Sequence, residues 1–367
     1  MSLFAFYMPH LTTGGAERVT VNLANHFAAR GEQALVVLDR RDGALVDALA
    51  PQVELVALHA PRVLAALPKL KRLLGERRPA VLLSAITYNN PIAILAAKLG
   101  GAGTRVAVAE HTMLSRELAE RGWRDRAVLP PLLSLAYRGA AAILCPTAAI
   151  ADDLARLCRI ARGRIEVLAN PVIGADMAAR AARLPADPWF SEQIPVFVAA
   201  GRMTPVKDFA TLIAAFAKVA ERRPARLLML GEGPLRPALA EQAKAMGLGE
   251  RVRLAGAVGD PAPYFARAVA VVSSSRYEGF GNVLVEALAC GAPVVSTDCP
   301  GGPRAILENG RYGALVPVGD APALAAAMLA ALDAKPDPAR LRAGAARYTV
   351  ERAGDAYLER LRRLAKT

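Results

Sequence analysis

Short apolar runs alternate with helical-period segments from one end of the chain to the other. The first half predicts strands at Leu3–Met8, Ala34–Asp39, Val53–Leu58, Ala80–Ser84, Arg105–Ala109, Ala142–Pro146 and Ile165–Ala169. The second half predicts Pro195–Ala200, Arg226–Leu230, Val252–Ala255, Val269–Ser273, Pro293–Ser296 and Ala314–Val316. Strands separated by helices are the pattern of βαβ units and parallel sheets. The rhythm breaks over Asn170–Ile194, where Asn-Pro, Asp-Pro and Ile-Pro steps predict a linker. The expected organisation is a domain over 1–170, a linker over 171–194, a second domain over 195–346 and a closing amphipathic helix over 347–367 that crosses back to the first. Two doubly wound parallel-sheet domains facing one another would bring their strand ends to a central cleft. No short internal repeat occurs.

Composition supports two folded domains. The chain has 367 residues, 54% of them hydrophobic and 22% charged, which excludes a disordered protein. The net charge of +13 leans towards the N-terminal half. Such a surface suits an anionic phospholipid or a polyphosphate ligand. Nucleic acid is the weaker partner, because the chain has no helix-turn-helix signature, zinc spacing or aromatic-studded basic strand. Four cysteines without a CxxC pair read as reduced residues of a cytoplasmic protein. The N-terminus lacks the basic region and cleavage site of a signal peptide, and no run of about 18 apolar residues predicts a membrane span.

Two basic stretches in the first half leave a peripheral contact with the inner face of the membrane open. Residues 68–78 carry Lys69, Lys71, Arg72, Arg77 and Arg78 around leucines. Residues 115–138 carry Arg116, Arg121, Arg124 and Arg126 with Trp123 and an apolar run. Each reads either as an interfacial helix or as a solvated face above a core stripe.

The candidate chemistry concentrates in residues 275–297. Glu278 and Glu286 bracket the glycine-flanked turn Gly279-Phe280-Gly281, which opens a helix from Asn282 to Cys290. Free N–H groups around Phe280, Asn282 and Val283 can receive an anion at the helix start. Glu278 faces outward from the loop, and Glu286, one turn inside, can reach a second polyol. A diphosphate flanked by two sugars fits that layout.

Other segments gain meaning from their position at strand ends. Arg202 and Lys207 follow the first strand of the second half, where a guanidinium and a mobile ammonium suit bridging phosphates. Thr12-Thr13-Gly14-Gly15 follows the first strand of the chain. It reads either as a tight turn or as a loop whose amides approach a phosphate. Gly231-Glu232-Gly233 is either a turn or a platform for a nucleobase, and the 257–261 loop ends another strand on the same edge. His111, preceded by Glu110, closes the strand Arg105–Ala109 and is either structural or part of a reaction centre. The chain has no HExxH, GxSxG, Walker loop or DxD, so nothing points to a hydrolase triad, P-loop chemistry or a carboxylate-held metal.

Taken in order, Gly14-Gly15, His111, Asn170-Pro171-Val172, Gly201-Arg202…Lys207 and the Glu278…Glu286 pair resemble the retaining glycosyltransferases of family 4 over nearly the whole chain. The resemblance implies a GT-B fold and transfer of a sugar from a nucleotide-sugar, with no cofactor or metal. Glu278 would then hold donor-sugar hydroxyls and Glu286 the nucleotide ribose, while Arg202 and Lys207 clamp the diphosphate. Amides of Gly14–Gly15 and of Gly279, Phe280, Gly281, Asn282 and Val283 would hold phosphates and sugar, and His111 would line the reaction centre. The Cys299-Pro300-Gly301-Gly302-Pro303-Arg304 segment resembles bacterial enzymes that elongate lipid-linked or surface glycans, which implies a UDP-hexose or UDP-N-acetylhexosamine donor and a glycan or polyprenyl-diphosphate-linked acceptor. Three alternatives remain: a nucleotide-sugar epimerase of the same architecture, a transferase acting on a soluble acceptor, and a silent binding protein.

Overall fold

The computed structural model describes residues 2–12, 14–100 and 103–366, and it divides into two compact units. The first comprises residues 1–174 and 348–367, and the second residues 175–347.

The first unit is built on seven strands: β1 (Leu3–Met8), β2 (Gln33–Leu38), β3 (Glu54–Ala57), β4 (Val81–Ser84), β5 (Arg105–Ala109), β6 (Ala142–Cys145) and β7 (Ile165–Val167). They pair in parallel in the order β3-β2-β1-β4-β5-β6-β7. Six helices alternate with these strands: α1 (Gly15–Ala29), α2 (Val63–Arg77), α3 (Asn90–Gly100), α4 (Leu114–Ala119), α5 (Trp123–Ala136) and α6 (Ala148–Cys158). The strand order reverses between β1 and β4, as in a doubly wound sheet, and ligands collect beyond the strand ends at such a reversal. Phe4, Phe6 and Phe27 form the centre of the core under α1, with both rings of the strand edge-on to Phe27.

The second unit opens with a helix, α7 (Met177–Ala182), and a short 3-10 turn (Pro188–Ser191). Met177 and Trp189 are buried, so this proline-punctuated stretch is folded as part of the second unit. Six parallel strands follow: β8 (Val196–Ala200), β9 (Arg226–Leu230), β10 (Val252–Gly256), β11 (Ala270–Ser273), β12 (Val294–Thr297) and β13 (Ala314–Val316). Their order is β10-β9-β8-β11-β12-β13. The accompanying helices are α8 (Phe209–Ala220), α9 (Arg236–Ala245), α10 (Ala262–Phe265), α11 (Asn282–Ala289), α12 (Pro303–Ile306), α13 (Ala321–Asp333) and α14 (Pro338–Ala345). Here the order reverses between β8 and β11. Phe197 lies opposite Ala270 and Val198 opposite Val271, which brings the ends of both strands level. The 201–208 and 274–281 loops therefore leave the sheet side by side.

The closing helix α15 (Val350–Lys366) belongs to the first unit. Tyr357, Leu358, Leu361 and Leu364 enter that unit's core. Its polar edge is tied by Asp355 to His26 and Arg30, and by a bidentate Arg360–Glu166 pair. Gly354 is required there, since a Cβ would lie 2.7 Å from the His26 ring.

Candidate active site

The β8 and β11 loops are stitched together before any functional side chain is considered. Ser274 Oγ donates to the Lys207 carbonyl at 2.8 Å, and the Arg276 amide donates to the Val206 carbonyl at 2.8 Å. Asp208, the residue before α8, sits at φ 46°, a left-handed conformation that aspartate tolerates, and its carboxylate lies 3.5 Å from Arg276. This framework sets Lys207 against Glu278. The Lys207 ammonium is 2.5 Å from Glu278 Oε1, and the buried Ser275 hydroxyl donates to the same oxygen at 2.6 Å. Arg202, on the same loop, is exposed and has no ion pair among the described residues.

Close backbone approach explains the glycines around this centre. A Cβ on Gly301 would fall 2.0 Å from the Glu278 carbonyl oxygen, and one on Gly302 only 1.5 Å from that of Phe280. The Pro300 carbonyl accepts from the Glu278 amide at 2.9 Å. The turn before α11 is thus clasped by the segment after β12. Gly231 and Gly233 act similarly, since side chains there would meet the backbone of Gly201 and Met203. Arg304 is turned into an ion pair with Asp298.

Gly281, at φ 99°, delivers the chain into α11 with no side-chain cap. The leading amides of the helix are therefore open to an acceptor from outside. Asn282, the first helical residue, carries a buried Oδ1 with no partner. Glu286 lies one turn further on, and its charge reaches Arg180 of α7. That arginine grips Asp260, in the loop after β10, at 2.7 and 3.0 Å. The hydrogen bond to Asp260 chiefly raises the Arg180 pKa, and Glu286 contributes.

In the first unit the predicted residues lie at strand ends on one edge of the sheet. Gly14–Gly15 follows β1 and His111 follows β5, with β4 between those strands; Thr13 lies outside the described residues. Gly14 is the N-cap of α1, where it offers no side-chain cap. The Glu17 carboxylate folds back over it, so closely that a Cβ would meet Oε2 at 2.1 Å, and it accepts from Thr12 at 3.0 Å. An acid already occupies the positive end of this helix, so an anion entering here must displace Glu17.

His111 sits above a buried polar cluster. Glu110, 1% exposed, accepts from Thr87 at 2.6 Å, from Asn90 at 2.9 Å and from the Tyr137 hydroxyl. Burial raises the carboxyl pKa, and these hydrogen bonds counter it in part. His111 Nδ1 is buried without a partner, and desolvation pushes the imidazole down to about 4. At neutral pH the ring is uncharged.

The structure pairs Lys207 with Glu278, keeps Arg202 on the loop that carries Lys207, and puts the 279–283 turn and Glu286 at the start of α11; Gly14–Gly15 and His111 belong to the first unit. Sequence reasoning did not find Ser275 or Arg180. Ser275 stands three residues before Glu278 in a serine run that carries no signal of its own, and Arg180 lies in the stretch read as linker. Among the described residues no group of three or more His, Cys, Asp or Glu could hold a metal ion. All four cysteines are free and buried.

Two parallel α/β sheets, each with one reversal of strand order, give the chain a GT-B fold. Residues 13–173 match Glycosyltransferase Family 4, and residues 194–334 match Glycosyl transferases group 1. The lipopolysaccharide core biosynthesis glycosyltransferase LpsE of Rhizobium meliloti is 31% identical over 331 residues, covering 86% of this chain and 84% of its own. The N-acetylgalactosamine-N,N'-diacetylbacillosaminyl-diphospho-undecaprenol 4-alpha-N-acetylgalactosaminyltransferase of Campylobacter jejuni is 29% identical over 87% of both chains. Among solved structures, Anabaena Alr3699/HepE in complex with UDP-glucose superposes with a TM-score of 0.83 at 20% identity, covering 98% of this chain and 99% of its own. The chain belongs to the family 4 glycosyltransferases, enzymes that transfer a sugar from a nucleotide-sugar.

Proposed function

We propose that this enzyme moves a hexosyl or N-acetylhexosaminyl group from a UDP-sugar to a hydroxyl of a lipid-linked or other glycan, with retention at the anomeric carbon. The observation that carries the reading is the convergence of Lys207, Glu278 and the uncapped start of α11 at the β8/β11 reversal. Breaking the glycosyl–phosphate bond builds negative charge on the diphosphate and oxocarbenium character on the sugar. Arg202, Lys207 and the amides of Gly279–Val283 meet the first, with no need for a metal. Glu278 takes sugar hydroxyls, and Glu286 takes the ribose. Both carboxylates are committed to holding the donor, so neither serves as the nucleophile of a double displacement. The acceptor therefore attacks from the face the diphosphate leaves, and a phosphate oxygen takes its proton. On the first unit, neutral His111 orients the acceptor.

The relatives' names support a lipid-linked acceptor: one carries a diphospho-undecaprenol and the other acts in lipopolysaccharide core biosynthesis. A peripheral membrane contact fits the exterior of the first unit. Along α5, Trp123, Val128, Leu132 and Leu135 are exposed beside Arg121, Arg124 and Arg126. On α2 the basic residues of 68–78 are also exposed, but Leu70 and Leu74 are buried beneath them. That stretch can lend charge and little apolar surface. No described helix is long and apolar enough to cross a membrane.

The test is a nucleotide-release assay over UDP-, GDP- and ADP-sugars, with and without polyprenyl-diphosphate-linked glycan. UDP release stimulated by the lipid-linked acceptor is expected. Conversion of donor to a second nucleotide-sugar without acceptor would instead identify an epimerase.

A further inference from the structure

The two protein donors to Glu278 differ in how freely they can leave it. Lys207 reaches Oε1 on a flexible four-carbon stem whose side chain is 22% exposed. Ser275 is 1% exposed and short, and its backbone carbonyl is fixed by a hydrogen bond from Thr297 Oγ1 at 2.6 Å. Both take the same carboxylate oxygen, and neither takes Oε2.

We propose that Ser275 is a positioning residue for the donor sugar. When the diphosphate draws Lys207 away, Ser275 remains on Oε1 and keeps the carboxylate plane set, with Oε2 presented to the sugar hydroxyls. Without it, a buried carboxylate that has lost its cation is left free to rotate. The Lys207–Glu278 pair is then the resting state of the site, and Ser275 lets the lysine change partner without releasing the glutamate. The inference rests on Lys207 and Glu278 contacting the donor as proposed for the function.

The experiment is a double-mutant cycle with the intact enzyme. Its substrate is whichever of UDP-glucose, UDP-N-acetylglucosamine and UDP-N-acetylgalactosamine is turned over fastest. Ser275→Ala should lower kcat/KM by about 10- to 100-fold, the range for losing a hydrogen bond to a charged group. Its affinity for UDP, which carries no sugar, should stay within about twofold. In a Glu278→Ala background the same change should cost less than about threefold, because the group it acts through is gone. If Ser275→Ala fails to fold, Ser275→Cys, similar in shape but a weak donor, serves in the same cycle.

Wild-type kinetics for the Ser275 variant would overturn the proposal. So would a loss equally large in both backgrounds, or a UDP affinity that falls in step with activity. Wild-type activity in Glu278→Ala alone, or no turnover of any of the three donors, would instead defeat the donor reading beneath it.

Discussion

Replacing Gly302 by alanine probes whether the donor turn is held by backbone contact. The residue has φ −89°, which any amino acid adopts, so the substitution brings no conformational strain of its own. Its Cβ would lie 1.5 Å from the Phe280 carbonyl oxygen, 2.6 Å from the carbonyl carbon and 3.2 Å from Cα. All three are backbone atoms, so no side chain can swing aside. Restoring an ordinary contact moves the Phe280 peptide by about 1.5 Å or more, and Phe280 leads through Gly281 into the first amides of α11. Overpacking of this kind costs about 1–3 kcal/mol, or about 2–12 °C in Tm for a domain of this size. A displacement of about 1 Å in substrate-holding groups costs about 100-fold in rate. Calorimetric unfolding and UDP titration should both register the change. Gly249→Ala is the control: its Cβ meets nothing within 4 Å, and its stability should stay within about 0.5 kcal/mol of wild type. Wild-type Tm and UDP affinity in Gly302→Ala would refute the close packing of the two segments.

Three further outcomes are expected. Arg202→Ala and Lys207→Ala should each lower kcat by about 100-fold or more if they stabilise leaving-group charge, and near-normal turnover would remove them from the clamp. Because the His111 pKa falls from 6.5 unfolded to about 4 folded, the unfolded chain alone takes up the proton as pH drops below 6.5. The resulting loss is about 2 kcal/mol by pH 5. The raised pKa of Glu110 works in the opposite direction, so the measurement is the Tm difference between wild type and His111→Gln at pH 7.5 and pH 5. It should shift in favour of the variant at the lower pH, and a constant difference would show that the ring is not desolvated. Flotation with anionic liposomes should fall steeply with salt and weaken in Trp123→Asp, whereas equal binding to neutral vesicles would count against an electrostatic dock.

The strands were legible because parallel sheets bury both faces, leaving apolar runs that stand out from their surroundings. Even β7, only three residues long, was visible from Ile165 and Val167. The helix α11 was legible from its glycine entry and its period, and the GT-B fold followed from these together with the motif order. The chemistry within the site was less visible. Glu110 looks like any acid beside a histidine, because Thr87 and Tyr137, which make it a buried hub, stand 23 and 27 residues away. Arg180 was hidden by its setting, a six-residue helix in a stretch whose prolines suggested a linker. Its partner Asp260 is 80 residues further on. His26 carried no local signal either, since the group facing it, Asp355, comes from the closing helix. Spacing along a chain reports groups held by one loop and says little about groups brought together by sheet order.

The central claim is that the second unit holds a nucleotide diphosphate at the β8/β11 reversal. A crystal structure of the enzyme with UDP tests it most directly. The diphosphate is predicted against Arg202, Lys207 and the first amides of α11, with the ribose on Glu286 and Lys207 withdrawn from Glu278. UDP bound elsewhere on the unit, with the Lys207–Glu278 pair still closed, would contradict the account.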